Sequence, residues 1–255
     1  MEWFESEKFW TQYAPIMFDD ARWAEAPTVA QYVKEIAQLA PGSKVLDAGC
    51  GLGRISVELA ALGLDVTGVD IIQSELDAAR DSAEAEGVEL SLINHDLRTF
   101  SALNQFDCAV NLFTSFGYCD TLEEDMQILK NIADSINPDG TFIMECTSRE
   151  TAIMYWTAGE VFERAGYKVV THFEVVGAWE GLKSQWTLYQ EDADLKKSPA
   201  PEPVVDHTFI QRLYPATFLR DKLIEFGFSK AEVYGDFDLS PYNEKARTMV
   251  LIGRK

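Results

Sequence analysis

The sequence predicts an open, doubly wound α/β sheet, mostly parallel, with an antiparallel β insertion late in the chain. Three observations carry this. Short apolar runs alternate with helix-period segments from about residue 41 to 158, and Gly, Pro and Asn turn signals fall between them. After about residue 158 the rhythm changes to β-branched and aromatic alternation with few helix signals. Strand and helix signals then alternate again from about residue 216.

Taken in order, residues 1–40 read as helical. Over 28–39 the apolar residues Val29, Val33, Ile36 and Ala37 follow a period near 3.6, and Pro41-Gly42 stops the run. A first strand begins at Lys44-Val-Leu-Asp47, and glycines separate it from a helix over 55–62. A second strand spans 65–70, an Ala-rich helix over 73–86 ends at Gly87, and strands follow at 90–94 and 106–113. A helix over 122–136 is closed by Asn137-Pro-Asp-Gly140, ahead of a fifth strand at 141–146. Strands alternating with helices imply parallel βαβ units with right-handed crossovers. The runs 168–176, 184–189 and 207–213 read as antiparallel strands, and the polar, Pro-containing stretch 191–203 reads as a loop. A helix over 216–226, capped by Gly227, and strands at 229–234 and 246–252 follow.

Composition narrows the functional classes. The 255 residues hold 22 Lys+Arg against 42 Asp+Glu, a net charge of −20. Nucleic-acid affinity draws on basic side chains that displace phosphate counterions, so this balance argues against DNA or RNA as a partner. It argues equally against an anionic membrane surface and favours a neutral or cationic ligand. A hydrophobic share of 47% supports a sizeable core. The four cysteines, Cys50, Cys108, Cys119 and Cys146, form no C-x-x-C pair. Reduced thiols in a cytoplasmic protein are expected, and no metal-ligand cluster stands out. The N-terminus lacks the basic-then-apolar pattern of a leader, and no run of about 18 apolar residues is present.

The chemistry concentrates in Val45-Leu-Asp47-Ala-Gly49-Cys50-Gly51-Leu-Gly53-Arg54. A strand runs into a glycine turn that opens a helix. Such a turn lets backbone approach a ligand closely, and the helix N-terminus offers unpaired N–H groups to a carboxylate or phosphate. A dinucleotide fingerprint reads G-x-G-x-x-G. Here the spacing is G-x-G-x-G, and Arg54 stands where the last glycine would be. Asp47 would repel a pyrophosphate but suits an ammonium group, such as that of the methionyl part of S-adenosylmethionine (SAM). Asp70, ending the second strand, can accept hydrogen bonds from ribose hydroxyls. Past the third strand, Asp96 can accept from an adenine amine, Leu97 offers a backbone N–H, and Ile71 would pack on the adenine face. These pieces sit at the carboxyl ends of consecutive strands, where open α/β sheets bind ligands.

With V-L-D-A-G-C-G-L-G-R (45–54), V-T-G-V-D (66–70), H-D-L (95–97), the run 106–118 and N-P-D-G (137–140), the segment from about 10 to 150 resembles the class I SAM-dependent methyltransferases of small-molecule type. The resemblance implies that Asp47, Gly49, Cys50 and Gly51 hold the methionyl part, Asp70 the ribose and Asp96 the adenine. It implies a seven-stranded sheet of order 3-2-1-4-5-7-6 with the last strand antiparallel. It also implies SAM as cofactor, S-adenosylhomocysteine as product, and a division into a helical lid (1–40), a SAM-binding core (41–158), a β insertion covering the acceptor (159–215) and a closing segment (216–255).

Other assignments rest on the same resemblance. Tyr13 is the expected lid contact to SAM, within an N-terminal segment rich in Trp and Phe. Arg54 reaches either the ligand or the N-terminal segment. Asn111 begins the stretch beside the methyl group, and Asn111-Leu-Phe-Thr114 lacks the N-P-P-Y pattern of nucleic-acid amino-methylating enzymes. Tyr118 would wall the acceptor, and His207, in the insertion, is the candidate general base. Methyl transfer to nitrogen is expected over oxygen, since a neutral amine needs no base. An NAD-dependent oxidoreductase and a non-catalytic SAM- or nucleoside-binding protein are the competing readings. The insertion either covers the acceptor or forms a homodimer interface.

Overall fold

The computed structural model describes residues 3–199 and 201–255. A 3-10 turn at Trp3–Glu5 leads into α1 (Glu7–Met17) and α2 (Asp20–Ile36). The Ser6 and Asp19 side chains cap these helices by accepting from Phe9 N and Arg22 N. The alternation then follows: β1 (Lys44–Ala48), α3 (Arg54–Ala61), β2 (Asp65–Asp70), α4 (Gln73–Glu86), β3 (Ser91–Asn94), β4 (Phe106–Asn111), α5 (Leu122–Ser135) and β5 (Ile136–Cys146). After a short α6 (Arg149–Met154) come β6 (Val161–Arg164), β7 (Tyr167–Val176), β8 (Gly181–Gln190) and β9 (Val205–Arg212). The segments α7 (Ala216–Glu225), β10 (Lys230–Tyr234) and β11 (Met249–Arg254) return to the main sheet.

The main sheet runs β10-β11-β5-β4-β1-β2-β3, the 3-2-1-4-5-7-6 order expected. Only β11 against β5 and β10 against β11 are antiparallel. Both faces are covered, so its strands are apolar on both sides and successive residues divide between two cores. Leu46, Ala109, Phe142, Met144 and Leu251 face α5 and α7. Val45, Cys108, Val110, Ile143, Val250 and Ile252 face α2 and α3.

Two local differences from the expected elements have physical causes. The Asn137–Gly140 turn lies within β5: Phe106 pairs with Ile136, the register shifts, and pairing resumes at Cys108 with Thr141. A Cβ at Gly140 would come within 2.5 Å of Ile136 Cγ2 and 2.9 Å of Asp107 O, so the bulge closes only around glycine. Helix α6 has too few residues for a periodicity signal. It forms because Ser148 and Thr151 make a capping box.

The insertion is a separate four-stranded antiparallel sheet, β6-β7-β8-β9. It packs on α1 through a small core of Phe9, Tyr13, Ile16, Val169 and Leu188. Arg212 also ties it to α5 and to the loop that precedes α5. Arg212 of β9 pairs with buried Asp125 of α5 at 2.5 Å, and Arg212 N donates to Gly117 O at 2.6 Å. No helix among the described residues is long and apolar enough to cross a membrane.

Candidate active site

A cavity of about 690 Å³ opens at the carboxyl ends of β1, β2, β4 and β5. Its floor is the glycine turn. Gly53, in the left-handed region at φ +73°, caps α3, and a Cβ there would lie 2.6 Å from Ala79 Cβ. Gly49, at φ +81°, has Ser115 Cβ 3.0 Å from where its own Cβ would be. Only glycine therefore fits at these two positions, where the turn packs against α4 and Ser115.

Asp47, Gly49, Cys50, Gly51, Asp70, Ile71, Asp96 and Leu97 are brought together along this wall. The Asp70 carboxylate accepts from Gly51 N at 2.8 Å and from Ile72 N at 3.0 Å, which ties the glycine turn to the end of β2. Burial raises its pKa, and these backbone donors oppose the rise. Asp47 is buried and accepts from Ser56 Oγ at 2.6 Å. Burial, reinforced by Asp70, pushes its pKa up to about 6 despite the Ser56 bond. Asp96 accepts from the backbone N and the Nε of Arg98, both at 2.8 Å. Arg98 also reaches Glu5 at 2.7 Å, and so fastens the N-terminal 3-10 turn over the cavity.

Sequence reasoning missed Glu75, in the first turn of α4. It is 4% exposed, and its Oε1 has no hydrogen-bond partner among the described residues. Burial, with Asp70 and Glu7 nearby, pushes its pKa from 4.5 up to about 8. The folded chain therefore holds a proton that the unfolded chain releases between these values, and this residue's contribution to stability falls as pH rises through that window. Glu75→Gln removes the titration. Its stability relative to the unmodified chain should improve between pH 5 and pH 9, by on the order of 1–3 kcal/mol at the upper end. Thermal unfolding at both pH values checks this, and a difference that does not change with pH contradicts it.

Three expected site residues take other positions. Tyr13 is fully buried away from the cavity: its ring stacks on Phe9 and its hydroxyl donates to Trp186 O at 2.8 Å. The cavity is covered instead by Trp3, Phe4, Trp10, Met17 and Phe18. The helical period explains the exchange, because Phe9, Tyr13 and Ile16 make the stripe facing the insertion and Trp10 and Met17 make the next one. Asn111 is buried behind the wall, where its Nδ2 donates to Ala48 O at 2.7 Å and holds the end of β4 against β1. His207 does not line the cavity. It packs among Trp3, Phe9 and Phe209, with Nε2 unpartnered and its pKa lowered by burial. Its place is within an aromatic cluster, apart from the residues that line the cavity. Arg54 does line the cavity and lies over the Phe113 ring at 3.9 Å, but its Nη1 donates to Arg22 O.

Tyr118 lines the cavity edge-on to Trp3 at 5.0 Å, and burial raises its pKa well above the usual tyrosine range. Glu145, at the end of β5, was also missed. It accepts from Phe113 N at 2.8 Å and from Thr248 Oγ1, lines the cavity, and has its pKa raised by burial. Nothing within the strand run 141–146 marks it out. Its exposure to the cavity depends on the neighbouring end of β11, which is distant in sequence. Among the described residues no group of three or more His, Cys, Asp or Glu side chains is placed to hold a metal ion.

Residues 45–140 match the model of a family described as "Methyltransferase domain". A candidate methyltransferase of Geobacillus sp. (strain WCH70) is 28% identical over 220 residues, covering 83% of this chain and 84% of its own length. A solved S-adenosylmethionine-dependent methyltransferase from Clostridium acetobutylicum ATCC 824 aligns with a TM-score of 0.76 at 13% identity over 97% of each chain. A sugar N-methyltransferase from Streptoalloteichus sp ATCC 53650 aligns with a TM-score of 0.67 at 19% identity, over 91% of this chain and 87% of its own. At these identities the solved structures speak for the fold.

Proposed function

We propose that this chain, an enzyme with a class I SAM-dependent methyltransferase domain, methylates a small-molecule acceptor, at nitrogen rather than oxygen. One observation carries the reading. A single cavity runs from the Asp47–Gly53 turn, past the ends of β4 and β5, to a separate group of side chains beyond Phe113, which leaves room for a cofactor and a second molecule. Pockets of this size suit ligands of that class.

The residues present fit SAM. Gly49 and Gly51 both lie in the left-handed region with Ser115 and Glu75 close to where a Cβ would stand, so the turn that lines the cavity keeps its shape only with glycine there. Asp47 would hold the ammonium group, Asp70 has lone pairs beyond its backbone donors that would take ribose hydroxyls, and Ile71 and Leu97 would pack on the adenine. Bound there, SAM supplies an electrophilic methyl group on a sulfonium. The chain's own part is then positioning and exclusion of water by the Trp3, Phe4 and Trp10 cover.

The choice of nitrogen rests on the acid–base groups at hand. His207 faces the aromatic cluster, and the Tyr118 hydroxyl holds its proton tightly. The Glu145 carboxylate is too weak a base to activate an alcohol, whereas a neutral amine attacks without a base and its ammonium product gives up a proton to water. The enclosed cover and the net charge of −20 support a small acceptor over nucleic acid or a membrane surface. Four free, buried cysteines fit a reducing compartment, the cytoplasm. The test is a panel of amines, phenols and carboxylates without amines, read by S-adenosylhomocysteine release. Turnover confined to amines is the expected result, and turnover of phenols or carboxylates alone overturns the choice of nitrogen.

A further inference from the structure

The far arm of the cavity has the opposite character from the chain as a whole. Arg22, Arg54, Arg164 and Arg247 all line it, in a protein with 22 basic and 42 acidic residues. Each guanidinium is held in place. Arg22 pairs with Glu25 at 3.0 Å, and Arg164 pairs with Asp19 at 3.1 Å and donates to Ile16 O at 2.9 Å. Arg247 is bound twice to Asp236, at 2.6 and 2.8 Å. Arg54 is 6% exposed, anchored to the Arg22 carbonyl and lying over Phe113. The partner carboxylates Glu25, Asp19 and Asp236 are not among the residues that line the cavity, whereas the four arginines are. The arm therefore presents positive groups with their counter-charges behind them. Two cavity-lining carboxylates stand near these arginines, Glu145 beside Arg22 and Arg247 and Asp47 beside Arg54, and both are already engaged, Glu145 by Phe113 N and Thr248 and Asp47 by Ser56.

Arginines fixed by second partners and turned to a cavity recognise planar or tetrahedral oxyanions through paired N–H donors. Little ordering entropy remains to be lost when the anion binds. The overall acidity of the chain favours a neutral or cationic ligand, but the local field in this arm decides what enters it. A sulfonium in the neighbouring arm would add further positive charge, which a negative acceptor offsets.

We infer that the Arg22–Arg54–Arg164–Arg247 arm binds an oxyanion, carboxylate or phosphate, carried by the methyl acceptor. The acceptor class becomes an amine that also bears an acidic group, with Glu145 beside the nitrogen and the arginines on the anion. The word acceptor rests on the methyltransferase reading above. The oxyanion site rests only on the arginines.

Isothermal titrations at fixed ionic strength test this with inorganic pyrophosphate, glutarate and, as a cationic control, putrescine, on the protein alone and saturated with S-adenosylhomocysteine. At least one anion should saturate a single site, and the stronger of the two tells phosphate from carboxylate. Arg22→Gln and Arg247→Gln change side chains that are 50% and 60% exposed, so the fold tolerates them. Each should weaken the anion about tenfold and leave S-adenosylhomocysteine affinity unchanged. Arg80→Gln, on the exposed face of α4, should change neither. No saturable anion binding, tighter binding of putrescine, or unchanged anion affinity in both variants overturns the inference. If the anions behave as expected and S-adenosylhomocysteine does not bind, the cofactor reading fails alone. If S-adenosylhomocysteine binds and the anions do not, the oxyanion site fails alone.

Discussion

Replacing Asp125 with alanine is expected to lower the stability of the chain by about 3 kcal/mol, the cost of breaking a buried ion pair from one side. Asp125 is fully buried and accepts from the Arg212 guanidinium at 2.5 Å, the Tyr214 hydroxyl at 2.7 Å and Cys119 N at 3.2 Å. It is the joint between the insertion and the α5 side of the core. Removing it strands a phenol and a backbone donor and takes the counter-charge from Arg212, which keeps the Cys119, Asp120 and Thr121 carbonyls. Arg212 is 27% exposed and recovers some solvation, which keeps the loss in the lower part of the range for such pairs. Chemical denaturation of the variant measures it. A loss under about 1 kcal/mol, the size of an exposed pair, contradicts the role. The same variant should raise amide exchange in β9 before it does so in β1, because β9 loses its tie to α5 while β1 keeps both of its ladders.

Asp70→Ala is expected to weaken S-adenosylhomocysteine binding by about 1–3 kcal/mol. Two effects add. A ribose loses its carboxylate acceptor, and the Gly51 and Ile72 N–H groups lose the partner that sets the glycine turn. Asp70→Asn keeps one acceptor oxygen and should lose less. Calorimetric titration of both variants measures the pair. Equal affinity in the wild type and the alanine variant would remove Asp70 from the site.

The parts of the molecule most legible in sequence were those governed by local rules. The β1 strand, the glycine turn, β2 and the α4 helix ending at Gly87 could be placed to within a residue, because apolar period and glycine punctuation act over short spans. That Asp47, Asp70 and Asp96 line one cavity was readable for the same reason: each lies at or just past the end of a strand. Legibility failed wherever a side chain's direction depends on a partner far along the chain. Tyr13 and Trp10 are three residues apart on one helix, and only the position of the insertion decides which of them faces the cavity. His207 and Phe209 share one face of β9, and only the seating of Trp3 and Phe9 on that face decides that Phe209 reaches the cavity lining while His207 meets Phe9. Glu75 looked like an ordinary acidic residue of a helix's first turn, where charge is common. The fold buries it against Asp70. Arg22, Arg164 and Arg247 come from three separated segments and carry no spacing signal at all.

The central claim is that the cleft is built for SAM and not for a dinucleotide. Titrating the purified protein with S-adenosylhomocysteine, with NADH as control, tests it most directly. The account predicts saturable binding of S-adenosylhomocysteine in the micromolar range and none of NADH, because Asp47 and the G-x-G-x-G turn leave no place for a pyrophosphate. Binding of NADH in preference to S-adenosylhomocysteine would contradict the account and assign the same glycine turn to an oxidoreductase.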